Sequence, residues 1–391
     1  MTAPAAPSAP APAPALEVVI GRGRLSHLDR LLGDRWAARR VLVVASERGL
    51  ERHRVLDRLA GFRTETFTGF APNPTLAQAL AGCAVRDAFQ PDAVVAVGGG
   101  SALDTAKLVR SLPTGADAAL RCLDGATRDL RTPRVPLLAV PTTAGTGSEV
   151  TRFATVFAPD GRKRSLDGPE VRPDAAIVDP LLLRGCPPAV RYACAFDAFC
   201  HAVESYWSRR STPRSRQLAG AALRDLAALL ARGLDAPGDD DSARLAAAAH
   251  RAGLAIDLTR TTAAHAFAYR LTTRFGVPHG VACLLNLRWL WEYNERHLAT
   301  HCHDARGADH VARTLGELRT LVEPLARRRE PAEFLRAALE AAGRPPELRG
   351  YGVGPEDLAG LIAHGRCPGR ADNNPVALDE RLVGAALAAV R

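Results

Sequence analysis

Lysine is nearly missing from this chain: Lys107 and Lys163 are the only two among 51 basic residues. Arginine carries almost all the positive charge. The two ammonium groups therefore mark places where a compact charge on a flexible stem does work that a planar guanidinium does not. CxxC pairs are absent too. The eight cysteines (Cys83, Cys122, Cys186, Cys194, Cys200, Cys283, Cys302 and Cys367) are scattered, which argues for reduced core thiols over a disulfide framework or a zinc knuckle. No apolar run approaches the roughly 18 residues that a membrane-spanning helix needs, so no membrane partner is expected. Residues 1–15, MTAPAAPSAPAPAPA, lack a basic n-region and a continuous apolar h-region. They read as a disordered Ala/Pro tail and not as a signal peptide, and the expected location is the cytoplasm.

The formal net charge is +9, which brings nucleic acid into consideration. The basic residues are spread along the chain, however, and the densest run, Arg327–Arg329, falls in a helix-like stretch. No zinc finger, RNP motif or aromatic–basic interleaving occurs. Nucleic acid is not an expected partner; a positive field that draws a small anionic substrate is.

With 391 residues, the chain is long enough for two or three domains. Short β-branched runs at Glu17–Ile20, Val41–Ala45, Ala93–Val97, Leu137–Val140 and Ala175–Val178 alternate with helical patterns such as Thr75–Phe89 and Ala102–Ser111. That alternation predicts an α/β domain, residues 16–183, around a mostly parallel nucleotide-binding sheet. After Asp179-Pro180 the strand signals stop. Residues 184–391 read as an all-helical, metal-binding domain, with helices at Ala189–Ser208, Pro213–Arg232, Ser242–Ile256, around Leu284–Tyr293, Ala308–Ala326 and Pro331–Ala342. Gly238–Ser242 reads as a loop that ends in a helix cap.

The segment PDAVVAVGGGSALDTAK runs strand, glycine turn, helix. Its glycines let the backbone approach a phosphate, the helix start offers free N–H groups, and Lys107 stands where it could assist. Tight strand–helix turns also favour glycine for steric reasons alone. A second loop, VPTTAGTGSEVT, supplies hydroxyls after another strand. Two such loops at strand carboxyl ends point to a dinucleotide crevice. The GxGxxG fingerprint of ordinary Rossmann dehydrogenases is absent.

In AFDAFCHAVESYW, Asp197 and His201 lie four apart on one helical face, a spacing that suits one metal ion or a plain Asp–His contact. His265 follows in a helical run, and His279 in a Pro-His-Gly turn. Three imidazoles and a carboxylate suit Fe(II) or Zn(II) with an open position for substrate. The rival cluster His301-Cys302-His303-Asp304 reads as structural.

Together these segments resemble the iron-containing (group III) alcohol dehydrogenase family. The resemblance rests on APNPT (Ala71–Thr75), GGGSALDTAK (Gly98–Lys107), PTTAGTGSEVT (Pro141–Thr151), the Asp197/His201 pair, His265, PHG (Pro278–Gly280) and NNP (Asn373–Pro375). It implies the dehydroquinate-synthase-like architecture, with a homodimer as the family's expectation. Asp197, His201, His265 and His279 would hold the metal. Gly99, Gly100, Ser101 and Asp104, with Thr142, Thr143, Thr146 and Ser148, would line the cofactor site. Lys163 would contact the nicotinamide ribose and take part in catalysis. The chemistry implied is hydride transfer between NADPH or NADH and a carbonyl carbon, with the metal as Lewis acid.

Two departures from the family pattern matter. A further histidine that many members carry four residues after the third ligand is replaced by Tyr269, which could relay a proton or shape the pocket. The acidic residue that NAD-using members often place after the first nucleotide-fold strand is also missing. Ser46 and Arg48 stand there instead and favour NADPH. ESYWS, TRFATVF and TTAAHAFAYRLTTRFGVPHG further resemble the branch that reduces phosphonoacetaldehyde to 2-hydroxyethylphosphonate. Arg152, Arg270, Arg274 and Arg370 are the expected forks for the anion, Arg152 first, although so arginine-rich a chain would place some guanidiniums there in any case. A dehydrogenase for neutral primary alcohols or diols, a dehydroquinate-synthase-like lyase and a silent binding protein are the competing readings.

Overall fold

The computed structural model describes residues 16–130, 134–326, 329–366 and 369–391. The Ala/Pro tail, Arg327, Arg328 and Cys367 lie outside the described residues. Eight strands form: β1 (Glu17–Ile20), β2 (Arg40–Ala45), β3 (Arg63–Phe67), β4 (Ala93–Gly98), β5 (Leu137–Pro141), β6 (Phe153–Phe157), β7 (Lys163–Asp167) and β8 (Ala175–Val178). Six of them make one sheet, in the order β1-β8-β5-β4-β2-β3, with every pairing parallel. The apolar runs of β2 and β4 are buried on both faces. Val41, Val43 and Val95 pack into one cluster, and Leu42, Val44 and Val94 into the other. Alternation along a strand sends neighbours to opposite faces, and covering helices make both faces apolar.

β3 was not expected from the sequence. It is an edge strand, RTETF, in which only Phe67 is buried, so it lacks the hydrophobic run that marks its neighbours. The antiparallel hairpin β6–β7 was also unforeseen; it stands off the main sheet and leans on the helix that follows β4.

From Pro188 to the end of the chain the described elements are helical. The proline-led starts at Pro188, Pro213 and Pro331 follow from a ring that presets the helical φ and needs no hydrogen bond in the first turn. One apolar cluster, rich in alanine and leucine, holds these helices together. The Gly238 region differs from expectation: Gly238 is itself the N-cap, and Asp239, Asp240 and Asp241 form the first turn of the helix Asp239–Thr259. There their charges face the positive end of the helix dipole. The run around Leu284 belongs to a longer helix, His279–His301.

Candidate active site

Between the carboxyl ends of the sheet strands and the helices lies a cleft of about 380 Å³. That is within the range of small-molecule sites. The glycine turn opens at the carboxyl end of β4. Gly98 takes φ +156°, and a Cβ on Gly100 would collide with Thr146 of the second loop. The two loops are joined directly, since the Thr142 amide donates to the Gly98 carbonyl (2.9 Å). Gly100, Ser101, Asp104, Thr146 and Ser148 line the cleft. Gly99 and Thr143 stand against each other just behind it.

Asp104 faces the cleft while its oxygens accept from the Ser148 hydroxyl (2.6 Å) and from the Thr155 amide (2.9 Å) and hydroxyl (2.8 Å). It thus ties the second loop to β6. Ser46 and Arg48 are exposed just past the carboxyl end of β2, whose Ala45 pairs with Val97 at the lip of the glycine turn. Ser46 caps the short helix Glu47–His53 through the Gly49 amide.

Lys107 does not line the cleft. It is fully buried and donates to the Thr151 carbonyl and hydroxyl and to the Phe153 carbonyl, which pins the glycine-turn helix to the second loop. Lys163 is different. It begins β7, lines the cleft, and sits 4.3 Å from the centre of the Tyr269 ring. Burial and the Arg370 charge push its ammonium down to about 8.

The metal-type residues converge on the opposite wall. Asp197 and His201 lie one turn apart on the helix Pro188–Trp207, with His201 Nε2 3.7 Å from Asp197 Oδ1. His265 Nε2 is 3.1 Å and His279 Nε2 4.0 Å from the same oxygen. His279 is the first residue of the helix His279–His301 and does not project from a turn, as the Pro-His-Gly reading expected. Gly280 explains its position: a Cβ there would lie 1.8 Å from the Ala193 carbonyl oxygen. Only glycine lets the two helices approach closely enough to set His279 opposite Asp197.

This donor set fits a divalent cation. Although burial opposes it, the imidazoles of His201, His265 and His279 hold the Asp197 carboxyl well below its ordinary range. Burial pushes His201 down to about 4 and His279 to about 3, so both offer a neutral nitrogen lone pair near neutral pH. His265 goes the other way. Against the effect of burial, Glu204 and Asp197 drive it up to about 9, which places a positive charge where a cation would sit.

Sequence reasoning missed Glu204. Its carboxylate is buried, meets His265 Nδ1, and accepts from the Thr262 amide (3.0 Å) and hydroxyl (2.8 Å). A carboxylate on the far nitrogen of a ligand imidazole fixes its tautomer and orientation. The signal was available, because Asp197, His201 and Glu204 repeat at i, i+4 and i+7 on one helical face. Cys283, read from sequence as a core thiol, also joins this cluster: its Sγ lies within 4.8 Å of donor atoms of Asp197, His265 and His279.

Tyr269 stacks in parallel on His279 at 5.9 Å between ring centres, and its hydroxyl is buried with no hydrogen-bond partner among the described residues. Of the four arginines expected at the substrate, only Arg370 lines the cleft. Arg152 is drawn away by Asp257, whose carboxylate takes its amide and whose carbonyl takes its guanidinium. Arg274 pairs with Asp357, and Arg270 packs against His364. Arg260 and Arg344, not singled out in the sequence, line the cleft instead. In the rival cluster, Asp304 binds Arg306 and His303 meets the Asn374 carbonyl, which makes both structural.

The family model described as iron-containing alcohol dehydrogenase matches residues 14–180, and that of the family's C-terminal region matches 192–390. The chain belongs to the iron-containing alcohol dehydrogenase family. The phosphonoacetaldehyde reductase of Streptomyces viridochromogenes is 39% identical over 314 residues, 76% of this chain and 75% of that protein. The lactaldehyde reductase of Escherichia coli is 30% identical, over 77% of this chain and 78% of the relative. Among solved structures, sulfoacetaldehyde reductase from Bifidobacterium kashiwanohense in complex with NAD+ superposes with a TM-score of 0.83 at 26% identity, covering 97% of each chain. As a member of this family the protein is an NAD(P)-dependent alcohol dehydrogenase or aldehyde reductase, and the family works with a divalent metal. Among the described residues, no helix is long and apolar enough to cross a membrane.

Proposed function

We propose that this iron-containing alcohol dehydrogenase reduces a short anionic aldehyde, phosphonoacetaldehyde in the first instance, to the corresponding alcohol with NADPH. One observation carries this reading. A single cleft holds the glycine turn, the Asp197/His265/His279 cluster, and three cations, Lys163, Arg344 and Arg370, with no carboxylate within salt-bridge reach among the described residues. The likeness to a phosphonoacetaldehyde reductase, at 39% identity, supports it. We take the change from α/β to helical domain to fall near residue 183.

Asp197, His201, His265 and His279 would hold Fe(II) or Zn(II). When bound, the metal supplies Lewis acidity toward a carbonyl oxygen. The protein does the rest. The two loops at the ends of β4 and β5 would hold the cofactor. Ser46 and Arg48 leave room and positive charge for a 2′-phosphate. The cleft would exclude water while keeping the reactants together. Tyr269, whose hydroxyl has no hydrogen-bond partner among the described residues, would deliver the proton that completes the alcohol. Tyr269→Phe then lowers kcat by about a hundredfold. An unchanged kcat would leave the ring with a packing role alone.

The test of the reading is NADPH oxidation by enzyme loaded with Fe(II) or Zn(II), comparing phosphonoacetaldehyde with a neutral aldehyde of similar size. Strong preference for the phosphonate supports it. Equal or better turnover of the neutral aldehyde makes the protein a general alcohol dehydrogenase, the reading that the lactaldehyde reductase likeness favours. No oxidation of either substrate despite bound metal points to a lyase or a silent binder.

A further inference from the structure

Four cations line the cleft: Lys163, Arg260, Arg344 and Arg370. Arg152, Arg260 and Arg274 pair with Asp257, Asp167 and Asp357. Arg164, on the outward face of β7, pairs with Asp124 and Asp160. Arg344 has no such partner among the described residues, but Lys163 and Arg370 stand together over one ring, that of Tyr269. Both are half-buried in the cleft, and among the described residues neither has a carboxylate within salt-bridge distance. Arg370 has one weak polar contact, to the Ser165 hydroxyl at 3.3 Å, and its guanidinium carbon lies 5.0 Å from the centre of the Tyr269 ring. Burial, then the Arg260 charge, lowers its pKa to about 10. Two like charges confined beside one ring are costly without a counter-ion.

We propose that Lys163, Ser165 and Arg370 form an oxyanion subsite for the anionic end of the substrate, beside Tyr269; this rests on the anionic-aldehyde reading above. Three features build the subsite. Strand alternation puts Lys163 and Ser165 on the same face of β7, with Arg164 between them on the other. Asn373 anchors the turn that carries Arg370 by donating to the Thr259 and Thr261 carbonyls (2.9 and 3.0 Å), on either side of Arg260. Arg260 itself takes φ +63°, a left-handed backbone that a non-glycine residue holds only when its surroundings impose it.

The spacing selects for length. Tyr269 touches both ends: its ring centre lies 5.9 Å from that of His279 and 5.0 Å from the Arg370 guanidinium carbon. A substrate that reaches from the metal side to this subsite spans a few bonds of about 1.5 Å each, the length of a two-carbon aldehyde ending in a phosphonate or sulfonate. Two cations and a hydroxyl donor match a dianionic tetrahedral group best.

The experiment compares wild type, Arg370→Met and Arg370→Lys by two readouts. The first is the ratio of kcat/KM for phosphonoacetaldehyde to that for propionaldehyde. The second is calorimetric binding of phosphonoacetate, a non-reducible analogue, to the metal-loaded enzyme with NADP+. The expected result is that Arg370→Met lowers the ratio about a hundredfold through KM and abolishes phosphonoacetate binding, while Arg370→Lys recovers part of both. The subsite is overturned if Arg370→Met leaves the ratio and the analogue's affinity as they were. It is equally overturned if the variant instead raises KM for NADPH, because the cations then serve the cofactor phosphates. If wild type shows no preference for phosphonoacetaldehyde, the substrate reading fails by itself. Tight phosphonoacetate binding that Arg370→Met removes would then uphold the subsite for a different anionic substrate.

Discussion

At the scale of single residues, the site depends on side chains that never touch a reacting atom. Glu204 is the strongest case. It is buried, bonded to His265 Nδ1 and satisfied by Thr262, so its charge is committed to holding one imidazole. Glu204→Gln keeps the shape and removes the charge. Metal affinity should fall ten- to a hundredfold, read by competition with a chromophoric chelator. Unchanged affinity would remove Glu204 from the metal's support. Ser46 tests the cofactor. Aspartate also caps helices well, so Ser46→Asp preserves the start of the Glu47–His53 helix and adds a charge where a 2′-phosphate would lie. The NADPH/NADH preference, as a ratio of kcat/KM values, should shift toward NADH by at least tenfold, about 1.4 kcal/mol. A ratio that does not move would place the adenosine ribose elsewhere.

At the scale of elements, the critical contact is between the Asp197 helix and the His279 helix. The Cβ of an alanine at Gly280 would strike the backbone oxygen of Ala193, which cannot swing aside as a flexible side chain could. Gly280→Ala should force the helices apart at a cost of about 1–3 kcal/mol. It should also lose metal, because His279 moves away from Asp197. Thermal unfolding and metal content are read together. A stable variant with full metal would show that the helices tolerate the shift. Lys107 teaches the same lesson in reverse: a lysine that looked functional in the sequence is a fastener between a helix and a loop.

At the scale of the whole molecule, charge sets a pH dependence. Lys163 has an ordinary value of 10.5 and is pushed down to about 8 by burial and by Arg370. Between those values the unfolded chain keeps the proton that the folded protein has released. Stability of the metal-free protein therefore rises as pH goes up through this window. Lys107, also lowered to about 8 by burial, adds to the rise. Lys163→Met should flatten the curve of denaturation midpoint against pH from about 8 upward, leaving the part due to Lys107. Identical slopes in the two proteins would mean that Lys163 keeps its ordinary value.

Much of this protein was legible before any coordinates. Five strands, the turn from α/β to helical elements, both cleft loops and the Asp197/His201 pair follow from local pattern: hydrophobic period, glycine and proline punctuation, and helical spacing. These are properties of neighbours in the chain, so the sequence carries them directly. Only the family resemblance joined His265 and His279 to that pair. What the tertiary structure decided is which distant groups meet. Arg152, Arg270 and Arg274 are near the site in sequence, but acids or His364 from other segments draw them away. Arg260, Arg344 and Arg370 arrive from three separate segments and face the same cavity. In a chain so rich in arginine, local pattern cannot rank one guanidinium above another. A guanidinium becomes available to a ligand only where folding brings it no carboxylate, and that depends on long-range packing alone.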